Sequence, residues 1–253
     1  MTEIAKRRPY FSIITVCYNS EKTIDKTIEG VLNQKCQDFE YIIVDGASSD
    51  RTMDIVKSYD LLFEEIGAEY KYISEPDRGI YDAMNKGIRM SRGKLIGIVN
   101  SDDYYTNHAL ADMKEAADSN PQIGIFYGII REFNEHGTVG YSGYSASMLP
   151  QKMIAHPTCF IRREIYMEKG LYDLSYRYAS DYDYILRMKK CGVEFLMLES
   201  VISNFSLLGV SQTSNKAMME GLLVRKKHHV GNGLILSLSY VKCVLEGLIK
   251  KIV

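Results

Sequence analysis

The chain has 253 residues, with 31 Lys and Arg against 32 Asp and Glu, a net charge of −1. That length suits one large α/β domain or at most two small ones, and the balanced charge leaves no basic footprint for nucleic acid as a main partner. Cys17, Cys36, Cys159, Cys191 and Cys243 are scattered, odd in number and never spaced Cys-x-x-Cys, which speaks against a disulfide framework or zinc site and for a reducing compartment.

The opening MTEIAKRRPYFSIITV has a basic patch before only a short apolar run, so a strand explains it better than a secretory signal. From Tyr10 to Tyr18 the chain reads as a buried first strand, after which Ser20 is placed to cap a helix carrying Ile24, Ile28, Val31 and Leu32. Phe39 to Val44 is a second strand, closed by Asp45-Gly46. A helix with Met53, Ile55, Val56 and Tyr59 follows. Tyr70 to Ser74 is a third strand, Ile80 to Arg89 a helix, and Leu95 to Val99 a fourth strand ending in Asn100-Ser101-Asp102-Asp103. Strand and helix alternate, as in a doubly wound parallel sheet with right-handed crossovers. Beyond that the spacing predicts helices over Ala109 to Ala117, Glu164 to Glu168 and Tyr178 to Cys191, and strands over Ile123 to Ile130 and Val193 to Leu198. Arg131 to Gly143 reads as irregular or a hairpin. In the tail, Leu234, Leu238, Val241, Leu245, Leu248 and Ile252 recur by four and three, the spacing of a helical seam. A helix packed on its own domain, a basic amphipathic helix at a membrane surface and a dimer seam are the three readings of that pattern. No uninterrupted apolar run of about 18 residues is present, so no transmembrane helix is expected.

Neither Gly-x-Gly-x-x-Gly nor Gly-Lys-Ser/Thr follows the first strand, which reads TVCYNSEKT, so a Rossmann dehydrogenase or P-loop kinase would lack its phosphate cradle. Acidic residues instead follow successive strands: Asp45, Asp77, then Asp102 and Asp103. Any one of them suits a turn, but together they fall on the sheet edge where open α/β folds place ligands. Two adjacent carboxylates repel unless a cation lies between or beside them, and a hard divalent ion is the usual answer. Nineteen tyrosines and no tryptophan supply apolar faces with hydroxyl handles, which suit sugars or nucleotides.

Five segments, SIITVCYNSEKTIDKTIEGVLNQ, FEYIIVDGASSDRTMDIV, EPDRGIYDAMNKGI, GKLIGIVNSDDYY and ASDYDYILRM, carry a resemblance. In order and spacing the chain resembles the family 2 glycosyltransferases of the nucleotide-sugar-binding GT-A fold, over Phe11 to Tyr105 and around Asp181. Three departures stand out: Asn100 where the family often has Asp, Asp45-Gly46-Ala47-Ser48 for Asp-Asp-Gly-Ser, and Ser180-Asp181 for Glu-Asp.

The resemblance implies a single Rossmann-like domain with a mainly parallel central sheet flanked by helices over residues 1–208, and a C-terminal helical extension over 209–253. It implies a metal-dependent inverting transferase using a nucleotide-diphosphate sugar, a UDP-sugar being the expected donor, and a glycan or lipid-linked acceptor in bacterial surface polysaccharide assembly. The expected setting is cytoplasmic or peripheral at the inner face of the membrane. Asp103, with Asp102, would hold manganese or magnesium, and Asp102 would alternatively take the ribose. Asp45 would accept the base imino N–H, Tyr18 would stack on the base, and Arg78 would face the nucleotide or pair with Asp77. Asp181 would be the general base. His156 and Asp183 are candidates for the acceptor side, with a structural role for each as the alternative. A sugar nucleotidyltransferase, which normally opens with a glycine-rich loop, and a non-catalytic nucleotide-sugar-binding or accessory protein are the rival functions.

Overall fold

The apolar runs of the first hundred residues become four parallel strands. In the computed structural model, which describes residues 7–149, 151–207 and 215–249, these are β1 (Phe11–Cys17), β2 (Phe39–Asp45), β3 (Glu69–Ser74) and β4 (Leu95–Asn100). They lie in the order β3-β2-β1-β4, joined by α1 (Ile24–Leu32), then α2 (Thr52–Ser58) with α3 (Asp60–Glu65), then α4 (Ile80–Met90). Both faces of this half-sheet are covered. Phe11, Ile13, Tyr41, Ile43 and Val99 enter one core with Ile24, Ile28 and Phe63, while Ile14, Ile42, Val44 and Ile98 enter a second with Met84 and Ile88. Burial on both faces is why these strands read as continuous apolar runs rather than alternating ones.

The second half is mixed. The chain continues as β5 (Tyr104–Tyr105), α5 (Ala109–Ser119), β6 (Ile125–Asn134), β7 (Gly137–Ser142), β8 (Phe160–Arg162), α6 (Arg163–Lys169), α7 (Ser180–Lys190), β9 (Phe195–Ser206), α8 (Asn215–Lys227) and α9 (Gly233–Ile249). The sheet extends from β4 through β8, β6 and β9 to β5, with β7 hairpinned onto β6. β8 runs antiparallel to both β4 and β6, and β9 runs parallel to β6. Among the described residues no helix is long and apolar enough to cross a membrane.

Several local expectations change. Ser20 does not cap α1: its carbonyl accepts N–H groups of Thr23 and Ile24, and its hydroxyl lies 2.7 Å from that of Ser101, tying the end of β1 to the end of β4. β8 escapes a periodicity reading because three residues cannot show one. In the tail, Leu234, Leu238 and Val241 are exposed, whereas Leu236 and Cys243 are buried. Ile252 lies outside the described residues, as do the side chains of Leu245 and Leu248.

Two non-glycine residues at the carboxyl edge of the sheet have left-handed backbone, Asn19 at φ 49° and Ala47 at φ 63°. Asparagine tolerates that region through its short polar side chain, which here accepts the Ser49 N–H at 2.9 Å. Alanine has no such compensation. Ala47→Gly should therefore raise stability by about 0.5–1 kcal/mol, the left-handed penalty less glycine's larger unfolded-state entropy. Urea denaturation reads this directly, and an unchanged midpoint would show that the loop carries no strain at residue 47.

Candidate active site

Parallel pairing brings the ends of β1, β2, β3 and β4 to one edge, so the residues just beyond them are neighbours although distant in sequence. The β1 and β2 turns clasp each other: the Asn19 N–H donates to Ser48 Oγ at 2.8 Å and the Ser20 N–H to Thr52 Oγ1 at 2.7 Å. Thr52 is in turn held by Asp50, whose Oδ1 accepts its N–H at 3.0 Å.

Asp45 is fully buried at this edge and fully engaged. Its Oδ2 accepts the Ser48 N–H at 2.9 Å and the Ser74 hydroxyl at 2.6 Å, and its Oδ1 accepts the Ser48 hydroxyl and faces the Cys17 thiol at 3.6 Å. A carboxylate has about four acceptor positions, and all are taken by protein groups. Asp45 thus joins β1, β2 and β3 in this state, and a base N–H would have to displace a serine. Asp77 stands closer to the surface, with Oδ1 accepting the Gly79 N–H at 2.7 Å. Its Oδ2 leans over Gly46: a β-carbon at residue 46 would lie 2.6 Å from that oxygen and 3.4 Å from Tyr18 Cδ2. Glycine leaves room for that carboxylate without any shift of Asp77. Tyr18 itself is 65% exposed, its ring beside Gly46.

Asp102 and Asp103 follow β4. Asp102 is half-buried, and burial raises its carboxyl above the ordinary carboxylate range. Asp103 is buried, and burial followed by the negative charge of Asp102 pushes it well above that range. Its Oδ1 accepts the Ser206 N–H at 2.9 Å, while among the described residues its Oδ2 has no hydrogen-bond partner and neither has the Oδ1 of Asn100. The inward turn has a local cause. Tyr104 and Tyr105 pair with Asn204 and Ser203 of β9, so the chain is redirected immediately after the two aspartates. A buried, unpartnered carboxylate oxygen beside a second carboxylate and an amide oxygen is a hard-oxygen donor set that fits magnesium or manganese. Among the described residues no group of three or more His, Cys, Asp or Glu gathers, so a cation here would complete its shell with water or ligand oxygens. Asp102 is the more exposed of the two carboxylates, and Asp103 lies deeper.

Asp181 is in the first turn of α7, and its Oδ1 accepts the Tyr81 hydroxyl at 2.8 Å and the Tyr182 N–H at 2.9 Å. Tyr81 begins α4 just after the Asp77 loop, so this bond brings Asp181 to the same sheet edge. Burial and the charge of Asp181 raise the Tyr81 phenol, which keeps it a donor. The approach to Asp181 is held from outside α7. The N-cap, Ala179, has no capping side chain; instead Glu220 of α8 accepts the N–H groups of Arg177, Tyr178 and Ala179 at 3.0, 2.6 and 3.1 Å. Sequence reading missed Glu220, because an acidic residue in a mostly apolar and basic helix has no periodic signal.

The remaining candidates are otherwise committed. His156 is buried with Nε2 2.8 Å from the Tyr172 hydroxyl, and burial lowers its pKa, which keeps it neutral. Asp183 is buried with Oδ1 2.9 Å from both Lys227 Nζ and His228 Nε2, a tie between α7 and α8. Arg78 is exposed and pairs with Asp82 at 3.5 Å rather than with Asp77. Two surface hollows among the described residues lie away from these carboxylates: one of about 200 Å³ is walled by Leu149, Leu186 and Val230, and one of about 300 Å³ lies between Arg177 and Tyr240. The site is therefore identified by its chemistry, not by concavity.

The chain is similar to known proteins in sequence and in fold. The chain is 28% identical over 180 residues to a PGL/p-HBAD biosynthesis glycosyltransferase of Mycobacterium bovis, covering 71% of this chain and 69% of that one. It is 28% identical over 230 residues to the chondroitin synthase of Escherichia coli, covering 88% of this chain but 32% of the synthase. Among solved structures, S. aureus TarS 1–349 in complex with UDP-GlcNAc matches with a TM-score of 0.66 at 19% identity, covering 85% of this chain and 66% of that one. The mannosyltransferase PcManGT from Pyrobaculum calidifontis, in complex with GDP-Man and Mn2+, matches with a TM-score of 0.64 at 16% identity, covering 88% and 62%. At those identities the structures speak for the fold, which is the GT-A arrangement of a Rossmann-like sheet flanked by helices. The family model Glycosyl transferase family 2 matches residues 12–171. With well over half of its length matched in this way, the chain belongs to glycosyl transferase family 2 and is a glycosyltransferase.

Proposed function

We propose that the protein transfers a sugar from a nucleotide-diphosphate donor, a UDP-sugar in the first instance, to a glycan or lipid-linked acceptor, with inversion at the anomeric carbon and dependence on a divalent cation. The observation that carries this reading is the unpartnered Asp103 oxygen beside Asp102, on the sheet edge that also receives Asp181 through Tyr81. Tyr18 stacks on the base. Asp77, the carboxylate leaning beside Tyr18 over Gly46, is the accessible acceptor for a base N–H, with Asp45 behind it as the clasp. Asp102 and Asp103 hold the cation, which when bound supplies positive charge to the departing diphosphate.

Asp181 is the base. Both of its recorded hydrogen bonds fall on Oδ1, which leaves Oδ2 to take the acceptor hydroxyl proton. The acceptor oxygen then attacks the anomeric carbon as the bond to the diphosphate breaks on the opposite face. One displacement with no covalent intermediate inverts the configuration. In this reading residues 1–208 form the catalytic unit and 209–253 an extension that lends it Glu220.

Support from relatives is indirect. TarS is described in complex with UDP and with UDP-GlcNAc, and PcManGT with GDP-Man and Mn2+. The test is a panel of UDP-GlcNAc, UDP-glucose and GDP-mannose, each assayed for slow donor hydrolysis with manganese and with EDTA. Manganese-dependent release of UDP from at least one UDP-sugar is expected. Release only from GDP-mannose would reassign the base, and release undiminished by EDTA would remove the cation. No release from any donor despite tight binding would favour the non-catalytic reading.

A further inference from the structure

The C-terminal helices combine a net positive charge with exposed apolar side chains. Residues 215–253 hold seven Lys and Arg against two Glu, a net +5, while residues 1–214 hold 24 against 30, a net −6. The basic residues concentrate at Arg225-Lys226-Lys227, the last turn of α8, with Lys216 exposed at its start. Part of this placement serves the fold, since cations suit a helix C-terminus and Lys227 pairs with Asp173 and Asp183.

Among the described residues, the exposed face of α9 has no such internal use. Leu236 and Cys243, 5% and 6% exposed, turn inward, and the Cys243 sulfur lies 3.2 Å from that of Met218 on α8. At about 100° per residue both lie roughly half a turn around the helix from Leu234. Leu234, Leu238 and Val241, spaced by four and three, therefore share the opposite face, and they are 70%, 62% and 53% exposed. Met218 and Leu223 of α8 are also exposed. An exposed apolar stripe on a basic helical pair has the composition of an element lying in a bilayer interface.

We propose that the α8–α9 hairpin docks the enzyme on an anionic lipid surface, with Leu234, Leu238 and Val241 entering the interface and the basic residues facing the headgroups. Charge decides between a bilayer and a second copy of the chain. A two-fold contact through this stripe would set one +5 segment against another, whereas an anionic bilayer complements it and repels the acidic catalytic half. The hairpin also holds the approach to Asp181 through Glu220, so docking would present the base side of the site to an acceptor carried in the membrane.

The test is co-sedimentation of the full chain with phosphatidylcholine vesicles, with and without phosphatidylglycerol, at low and high salt. Each basic residue near an anionic surface is worth roughly five-fold in partitioning, so a preference of at least about 25-fold for the anionic vesicles, weakened by salt, is expected. Leu234→Glu with Leu238→Glu should reduce that binding by more than about ten-fold, from the loss of buried apolar groups, with donor hydrolysis unchanged. A milder Leu234→Ser, Leu238→Ser pair covers the case in which the glutamates unfold the hairpin, and the melting transition identifies that case. Equal binding to both vesicle types, or unchanged binding by folded variants, overturns the proposal. Light scattering that shows a wild-type dimer broken by the variants, with no vesicle binding, overturns it in favour of a second copy.

Discussion

The Asp181→Asn variant is expected to bind nucleotide sugar as the wild type does and to transfer it about 10²–10⁴-fold more slowly, the usual worth of a positioned general base. The amide keeps an oxygen to accept the Tyr81 hydroxyl and the Tyr182 N–H, so the start of α7 should stay in place. Only the capacity to take a proton is removed. Calorimetric titration of donor, set beside initial rates of transfer, separates the two effects. Weak donor binding with residual transfer intact would move Asp181 to the nucleotide side and leave the base unassigned. Asp183 is a poor substitute, since it is buried against Lys227 and His228.

Asp103→Asn is expected to produce opposite effects on stability and binding. In the metal-free protein it replaces a buried carboxylate that has one unpartnered oxygen, so stability should rise by about 1–3 kcal/mol, the cost of leaving such an oxygen unsatisfied. The sign with pH follows. A carboxyl whose pKa is raised in the folded state destabilises that state as pH climbs from its unfolded value through its folded one. The advantage of the variant should therefore be absent in acid and full once Asp103 ionises. Manganese should then raise the melting temperature of the wild type and not of the variant. Manganese-dependent UDP binding should be lost, along with several kcal/mol of transition-state stabilisation. A variant that is less stable without metal and still binds UDP with manganese would make Asp103 a structural residue and leave Asp102 as the sole carboxylate ligand.

The parallel half of the fold was legible because β1, β2 and β4 are buried on both faces, an environment that favours mainly apolar runs. β8 and β5 were not, since a strand of three or two residues is defined by its neighbours β4, β6 and β9. The candidate site divides in the same way. Asp102 and Asp103 could be found at a strand end from local pattern alone. The saturation of Asp45 depends on Ser74, and the pairing of Arg78 with Asp82 depends on how α4 begins, so neither was visible in the motif. The tail stripe was found by its spacing, but which side of α9 it covers is decided by the contact of Cys243 with Met218.

The grip of Glu220 on the residues before α7 has a consequence in time. The donor side of the site, from Tyr18 to Asp103, is drawn from the first half of the chain and leans on β9 through the Ser206 N–H, whereas the segment leading to Asp181 takes its hold from a residue about forty positions further on. In a chain that ends before α8, the sheet edge can form while the residues leading into α7 lack that hold, and Asp181 keeps only its bonds to Tyr81 and Tyr182. On the proposed roles, such a chain would bind nucleotide sugar with its base less firmly placed. The last helices complete the hold on the entry to α7, and on the reading above those same helices deliver the enzyme to its surface.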